Sequence, residues 1–311
     1  MTDTSGSVLR EQPVVLVTGA TGGIGAATAM AYAARGARLV LLARSVGALE
    51  TLRGSVLAAG AADALVTVAD VADGAAVDAA FRTASARFGR VDVVVHSAAV
   101  VAYGRLDEVP AHVWDRVVSV NLTGTANVAR TTLARFATQG AAGTVGGSLV
   151  VVGSLLGQAT VPLMGSYVTS KWGVRGMTRV LQQEARTLPG VHVAIVNPGS
   201  IRTPIYDLAA NYAGRVGRPP PPVFSPERVA RAVVRVVDRH ERAAGVSFTN
   251  PVIRLGFTLL PRVYDVLVTP MMSVAGLRRQ VVEAHEGNVF TPSEDVGRVE
   301  PSARVAAPAR R

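Results

Sequence analysis

The turn that follows the first apolar run of this chain is rich in glycine, and it constrains the fold more than any other feature. The run itself, residues 14–18 (VVLVT), is apolar and β-branched, which is typical of a buried strand. Gly19 allows a tight turn, Gly23 lets an anion approach the backbone, and Gly25 lets the next helix pack close to the sheet. That helix begins with unpaired N–H groups and a partial positive charge, so the turn predicts a phosphate-binding site.

The rest of the chain alternates short apolar runs with longer helical segments. Strands are predicted at residues 14–18, 38–43, 64–68, 91–95, 148–152 and 191–196. Helices are predicted at residues 24–34, 46–59, 73–88, 111–136, 166–186 and 226–242. This alternation is typical of parallel sheets that are covered on both faces. We therefore predict an α/β fold, a single Rossmann-type doubly wound parallel sheet of about seven strands with helices on both faces.

Four segments are predicted along the 311 residues. Residues 1–12 form a disordered leader, residues 13–250 the dinucleotide-binding catalytic domain, residues 251–290 an apolar C-terminal extension, and residues 291–311 a disordered tail. The leader contains no apolar signal segment, so a cytoplasmic location is expected.

The apolar extension leaves three interpretations open. Its central stretch, residues 255–277, is interrupted by Arg262 and Asp265. The uncharged part is too short to span a hydrocarbon layer of about 30 Å. The stretch is interpreted as core, as a contact between subunits, or as a segment that lies peripherally on a membrane, in that order of preference.

Composition narrows the possible chemistry. The chain has no cysteine, which excludes disulfide bridges, thiol catalysis and cysteine-ligated metals, and no metal site is predicted. The net charge is +10, but the basic residues are scattered and form no nucleic-acid-binding motif, so no nucleic-acid partner is predicted. Lys171 is the only lysine among the 32 basic residues. A lysine is a compact point charge and an arginine a planar fork, so this single ammonium indicates a specific role.

Tyr167 lies four residues before Lys171, on the same face of a predicted helix. A free tyrosine has a pKa of about 10, and a neighbouring cation favours the phenolate, so Lys171 is expected to lower the pKa of Tyr167. Ser154 lies 13 residues before Tyr167, where its hydroxyl could stabilise a carbonyl oxygen that gains negative charge. Taken singly, Tyr167 could be a packed aromatic and Ser154 a hydroxyl at the end of a strand.

Several motifs in order resemble the short-chain dehydrogenase/reductase family over about residues 12–245. They are TGxxxGxG at 18–25, Asp70-Val71, NLTG from Asn121, Ser154, YxxxK at 167–171, and Pro198-Gly199 with Ile201 and Thr203. The resemblance implies a catalytic set of Asn121, Ser154, Tyr167 and Lys171. It implies that Tyr167 is the general acid/base, that Lys171 holds the nicotinamide ribose and that Asn121 helps seat a water. It also implies a homodimer or homotetramer.

The same resemblance implies a set of cofactor contacts. They are Thr18, Gly19, Thr21, Gly22, Gly23, Ile24, Gly25, Arg44, Ser45, Asp70, Val71, His96, Ser97, Ala98, Tyr167, Lys171, Pro198, Gly199, Ile201 and Thr203. One departure stands out, because residues 96–99 read HSAA where the family commonly has Asn-Asn-Ala-Gly. His96 is expected to be structural, hydrogen-bonded near the end of its strand.

The second strand ends in Ala43-Arg44-Ser45, without the acidic residue that would bind a ribose 2′-hydroxyl and repel a 2′-phosphate. Arg44 can pair with a phosphate through a charge-assisted fork. NADP(H) is therefore favoured over NAD(H), although an exposed Arg44, or one that stacks on adenine, would fit either cofactor.

The predicted function is an NADP(H)-dependent oxidoreductase that interconverts a carbonyl and an alcohol. The substrate walls are expected within residues 96–103, 155–164 and 199–225, and the mostly apolar middle stretch favours a hydrophobic small molecule. Two alternatives stay open: an isomerase or dehydratase that returns the hydride to its own intermediate, and a non-catalytic NADP(H) sensor.

Overall fold

The computed structural model describes residues 12–141 and 146–293. The predicted leader up to residue 11 and the predicted tail from residue 294 lie outside the described residues. Eleven strands occur in the described part of the chain. They are β1 (Val14–Thr18), β2 (Arg38–Ala43), β3 (Asp63–Val68), β4 (Val93–His96), β5 (Ala102–Tyr103), β6 (Gly147–Val152), β7 (Val191–Asn197), β8 (Ala210–Asn211), β9 (Arg215–Gly217), β10 (Ala243–Gly245) and β11 (Leu277–Val281).

Seven of these strands form one parallel sheet in the order β10-β7-β6-β4-β1-β2-β3. The chain builds outward from β1 to β3 and then returns to the other side of β1 to begin β4. The strand order therefore reverses between β1 and β4. In a doubly wound sheet, a crevice opens at the carboxyl ends of the strands at such a point.

Nine helices of the described residues surround the sheets. They are α1 (Gly23–Ala33), α2 (Val46–Ala58), α3 (Gly74–Phe88), α4 (Ala111–Val118), α5 (Gly124–Ala141), α6 (Gly165–Glu184), α7 (Pro226–Asp238), α8 (Asn250–Leu259) and α9 (Pro261–Ala275). Alternate residues of β1 point to opposite faces of the sheet. Val15 and Val17 pack with α1, α2 and α7, whereas Val14 and Leu16 pack with α3 to α6. The prediction of a doubly wound α/β fold is confirmed.

Two element boundaries differ from the prediction. The single helix expected over 111–136 is interrupted by a π-helical turn at Ser119–Thr123, which separates α4 from α5. The helix expected to end at residue 242 ends at Asp238, and His240 follows with a left-handed φ of 51°. This early end frees Ala243–Gly245 to add β10 as the seventh strand, which periodicity did not predict.

The C-terminal extension folds into α8, α9 and β11, and its apolar stretch is mostly not core. Val268 and Met272 are buried, but ten large apolar residues between 252 and 281 are more than a third exposed. The preferred interpretation of residues 255–277 as core is therefore wrong for most of the stretch. Among the residues that the structure describes, no helix combines the length and apolarity needed to cross a membrane.

Candidate active site

The glycine-rich turn places the N-terminus of α1 at the crevice between β1 and β4. Gly19 has a φ of +62°, and a Cβ there would lie 2.7 Å from the backbone of Ala98. A Cβ on Gly25 would lie 2.1 Å from the carbonyl oxygen of Gly19. Side chains at these positions would fill the turn, so the glycines are required by close packing. No side chain caps α1 in the described structure, which leaves its first N–H groups available to an anion.

A cavity opens above this turn along the carboxyl ends of β1 to β4. Most of the predicted cofactor contacts line it: Gly19, Thr21, Gly22, Gly23, Ile24, Gly25, Arg44, Ser45, Asp70, Val71, Ser97, Ala98 and Thr203. A glycine cradle, an uncapped helix N-terminus and a crevice at the strand ends fit the diphosphate of a dinucleotide. Seven predicted contacts are not among the lining residues of this cavity: Thr18, His96, Tyr167, Lys171, Pro198, Gly199 and Ile201.

The predicted adenosine end of the cavity departs from expectation in its charge pairing. Asp70 forms an ion pair with Arg116, a residue of α4 that the sequence analysis missed. Arg44 was expected to offer its fork to a phosphate. Its guanidinium instead donates to the backbone carbonyls of Asn288, Val289 and Phe290, at 2.6 to 3.1 Å.

His96 lies fully inside the protein, beneath the cavity. Its Nδ1 is 2.8 Å from Thr18 Oγ1 and its Nε2 is 2.9 Å from Thr125 Oγ1. Thr125 donates its own hydroxyl proton to the carbonyl oxygen of Asn121, at 2.6 Å. We therefore assign the proton of His96 to Nε2, with Nδ1 accepting from Thr18. Burial, followed by the charge of Lys171, lowers the pKa of His96 to about 3, so the ring stays neutral.

Asn121 sits in the π-helical turn between α4 and α5, a local geometry that is frequent at functional sites. Its Oδ1 accepts from the backbone N–H of Val100 at 2.8 Å. Its Nδ2 donates to the Val100 carbonyl at 2.9 Å and to Ser170 Oγ at 3.1 Å. The side chain thus ties the loop after β4 to α6, the helix that carries Tyr167 and Lys171.

Ser154, Tyr167 and Lys171 meet at the carboxyl end of β6. Ser154 follows this strand and caps the short helical turn after it, accepting from Leu156 N–H at 3.0 Å. Tyr167 and Lys171 lie one turn apart near the start of α6. The buried Lys171 Nζ donates to the carbonyl of Val152 at 3.0 Å and lies 5.6 Å from the centre of the Tyr167 ring.

A family model described as short chain dehydrogenase matches residues 13–211. The chain belongs to the short-chain dehydrogenase family. It is 33% identical over 254 residues to 3beta-hydroxysteroid dehydrogenase 1 of Eggerthella lenta, a match that covers 79% of this chain and 94% of the relative.

Two solved structures extend the comparison, and both match with 27–28% sequence identity. An alcohol dehydrogenase from Thermococcus sibiricus, complexed with 5-hydroxy-NADP, has a TM-score of 0.64 and covers 76% of this chain and 95% of its own. A variant of actinorhodin polyketide ketoreductase with NADPH has a TM-score of 0.67 and covers 77% of this chain and 97% of its own. This short-chain dehydrogenase is therefore an enzyme, an oxidoreductase, and the two solved structures similar to it contain NADP-type ligands.

In this short-chain dehydrogenase the pKa values of the tyrosine and the lysine are set mainly by burial. Burial raises the pKa of Tyr167, and a hydrogen bond with the Ser154 hydroxyl lowers it by a smaller amount. Burial also lowers the pKa of Lys171 to about 8. The pKa of Tyr167 therefore lies above its ordinary value, because burial outweighs the hydrogen bond from Ser154. The expected influence of Lys171 on this pKa stays a prediction.

An apolar cluster surrounds Tyr167 and supplies the walls beside it. From the predicted wall segments come Val101, Tyr103, Leu156, Val161, Leu163, Met164, Ile205 and Tyr206. From α9 come Tyr264, Val268 and Met272, which the sequence analysis did not place at the site. Tyr264 Oη donates to the carbonyl of Thr160 at 2.7 Å and so joins α9 to the loop before α6.

Part of the cofactor cavity lies outside the predicted contacts. Asn288, Pro292 and Ser293 line it, although residues from 291 onward were predicted to belong to a disordered tail. Arg116 and these C-terminal residues carry no motif. The pairing of Arg116 with Asp70 depends on the fold, so spacing along the chain did not indicate it.

Proposed function

We propose that this chain is an NADP(H)-dependent reductase that interconverts a carbonyl and an alcohol on an apolar small molecule, with Tyr167 as general acid/base. One observation carries the proposal: Ser154, Tyr167 and Lys171 converge at the end of β6, among apolar side chains. A cavity that fits a dinucleotide diphosphate opens above the glycine-rich turn of the same sheet.

The bound nicotinamide would supply or accept a hydride at this site. Because burial raises its pKa, Tyr167 is protonated near neutral pH and can release the Oη proton to a carbonyl oxygen. Ser154 Oγ accepts from Leu156 N–H, and its own O–H is left to donate to the phenol or to a substrate oxygen. Lys171 adds positive charge beside the ring and favours the tyrosinate that remains.

Electrostatics at the adenosine end support NADP(H). Arg44 lines the cavity, and Ala43-Arg44-Ser45 offers no carboxylate to repel a 2′-phosphate. The nearest predicted acidic contact, Asp70, is already paired with Arg116. The two solved relatives also hold NADP-type ligands.

The exposed apolar face of α8 and α9 supports a peripheral membrane contact. Val252, Leu255, Leu259, Val266 and Leu267 are between 59% and 73% exposed. Helix α9 contributes to this exposed face and also packs against the apolar cluster at Tyr167. A membrane-soluble substrate would therefore arrive beside the site. A variant with Leu259, Val266 and Leu267 changed to serine should bind liposomes less than wild type does, and equal binding would contradict the contact.

A homodimer or homotetramer remains part of the proposal, by family resemblance. Sedimentation at several protein concentrations checks it, and a monomer throughout would contradict it.

The central experiment follows cofactor binding and cofactor consumption together. NADPH and NADH are titrated into wild type and Tyr167→Phe, and the reduced nicotinamide is then followed with a panel of apolar ketones. We expect both proteins to bind NADPH and only wild type to consume it. Binding without net consumption, but with conversion of a substrate, would favour the isomerase or dehydratase alternative. If neither cofactor binds, the proposal is wrong.

A further inference from the structure

The C-terminal segment that lies beyond β11 forms part of the wall of the cofactor cavity. Residues 285–293 of this segment are called the strap below. His285 and Asn211 exchange backbone hydrogen bonds of 2.8 and 3.0 Å. Asn288 N–H donates to the Leu208 carbonyl at 2.8 Å, and the side chain of Val289 is completely buried in the core beneath. The strap is therefore fixed to the domain both by backbone hydrogen bonds and by the buried side chain of Val289.

Gly287 makes this course of the strap possible. Its φ is +53°, in the left-handed region that favours glycine. A Cβ at this position would lie 2.3 Å from the carbonyl oxygen of Leu208 and 2.5 Å from that of Ala209. Any other residue would therefore lift the strap from the domain.

Both arginines at the adenosine end are bound to the strap. Arg44 donates three hydrogen bonds to the carbonyls of residues 288–290. Arg116 Nε donates to the Val289 carbonyl at 3.3 Å while the same guanidinium pairs with Asp70. The three hydrogen bonds hold the Arg44 guanidinium in one orientation. Because a guanidinium has five N–H donors, about two remain for another partner.

The strap is a wall of the cavity and not a plug in it. Asn288, Pro292 and Ser293 line the same cavity as the glycine-rich turn and Asp70. A dinucleotide that reaches from the turn to Asp70 would contact these residues.

We infer that the strap is a cofactor-binding element that recognises the phosphorylated adenosine end of NADP(H). Asn288 and Ser293 offer polar side chains to the adenosine, and the carbonyls of the strap aim Arg44 at the 2′-phosphate. Charge-assisted contacts from a preorganised guanidinium lose little entropy on binding, so the strap raises affinity by fixing Arg44. The inference rests on the proposed NADP(H) function.

The test uses adenosine 2′,5′-bisphosphate and adenosine 5′-monophosphate, which reach only this end of the site. Calorimetry compares wild type with Gly287→Ala, whose new Cβ must displace the strap. The matched control is Gly54→Ala, where a Cβ would meet nothing within 4 Å. We expect Gly287→Ala to weaken the bisphosphate by about tenfold or more and the monophosphate by less, and the control to stay within about twofold of wild type.

Two truncations test the same point without relying on one substitution. Removal of residues 284–311 deletes the strap, and removal of residues 294–311 spares it. We expect weak bisphosphate binding from the first truncation only. If Gly287→Ala and the first truncation, each with a native circular dichroism spectrum, bind the bisphosphate as wild type does, the inference is overturned and the proposed function stands. If wild type binds neither the bisphosphate nor NADPH, both fail.

Discussion

Helix α9 and the strap cover the two ends of the proposed active site by different physical means. Around Tyr167, α9 contributes the apolar side chains of Val268 and Met272 and one hydrogen bond, from Tyr264 to Thr160. At the adenosine end, the strap contributes backbone carbonyls that bind Arg44 and Arg116. The first wall is mostly non-directional packing, and the second is a set of oriented hydrogen bonds.

The difference matches what each end has to recognise. Apolar packing adapts to ligands of different shape, whereas hydrogen bonds from a fixed guanidinium select one charged group. We therefore expect changes near α9 to alter the substrate parameters, and changes near the strap to alter the cofactor parameters. Variants that alter the substrate and the cofactor parameters together would show that α9 and the strap act as one unit.

The largest effect is expected from Lys171→Met, at the chemical end. Removal of the ammonium beside Tyr167 should lower kcat for ketone reduction by about a thousandfold. The affinity for adenosine 2′,5′-bisphosphate should not change, because Lys171 is not among the residues that line the cofactor cavity. Steady-state kinetics and calorimetry measure the two quantities, and Arg179→Met on the exposed side of the same helix is the control.

Lys171 also predicts a pH dependence. Burial lowers its pKa to about 8, so the ammonium is present below this pH and is lost as the pH rises through it. Wild-type kcat for reduction should therefore fall as the pH rises above about 8. A rate that stays constant up to pH 10 would contradict an electrostatic role for Lys171.

The next largest effect is expected at the cofactor end, from Arg44→Gln. Hydrogen bonds to a charged group contribute about 1.5–3 kcal/mol, so the Kd for NADPH should rise by roughly ten- to a hundredfold. The Kd for NADH should stay within about threefold, since it has no 2′-phosphate. Arg38→Gln, at the opposite end of β2, is the control. Equal losses for both cofactors would show that Arg44 stabilises the strap without reading the phosphate.

Sequence reasoning succeeded where a side chain or a glycine carries the signal. The alternation of elements predicted the sheet, and the glycine-rich turn with the motifs at the strand ends predicted most of the cavity. It failed where the contact uses backbone atoms, because the carbonyls of residues 288–290 could belong to any sequence. It also misjudged residues 255–277, since apolar composition does not distinguish a buried helix from one that lies exposed over the site.

His96 links β1 to the π-helical turn that holds Asn121, and its burial predicts how acid affects stability. The ring joins Thr18 of β1 to Thr125, which binds the Asn121 carbonyl. Its pKa is lowered to about 3 in the folded protein, so below the unfolded value of 6.5 the unfolded state binds more protons. Stability is therefore lost as the pH falls from 6.5 towards 3.

His96→Asn should remove this acid sensitivity. Wild type should lose about 1.5 kcal/mol of unfolding free energy from this group between pH 6.5 and pH 5, and the variant should lose correspondingly less. Urea unfolding at the two pH values measures the difference. Parallel losses in both proteins would contradict a buried neutral His96. His285→Asn is the control, because His285 is exposed.

The smallest effect is expected from Tyr264→Phe, which removes the one described side-chain hydrogen bond from α9 to the loop at Thr160. A neutral hydrogen bond contributes about 1 kcal/mol, so KM for an apolar ketone should rise by up to about fivefold while kcat is preserved. The Kd for NADPH should not change, because the strap is anchored independently through Val289 and Gly287. Thr269→Ala, on the exposed side of α9, is the control. A weaker NADPH affinity in Tyr264→Phe would instead mean that α9 and the strap move together, since no contact of Tyr264 with a described residue reaches the adenosine end.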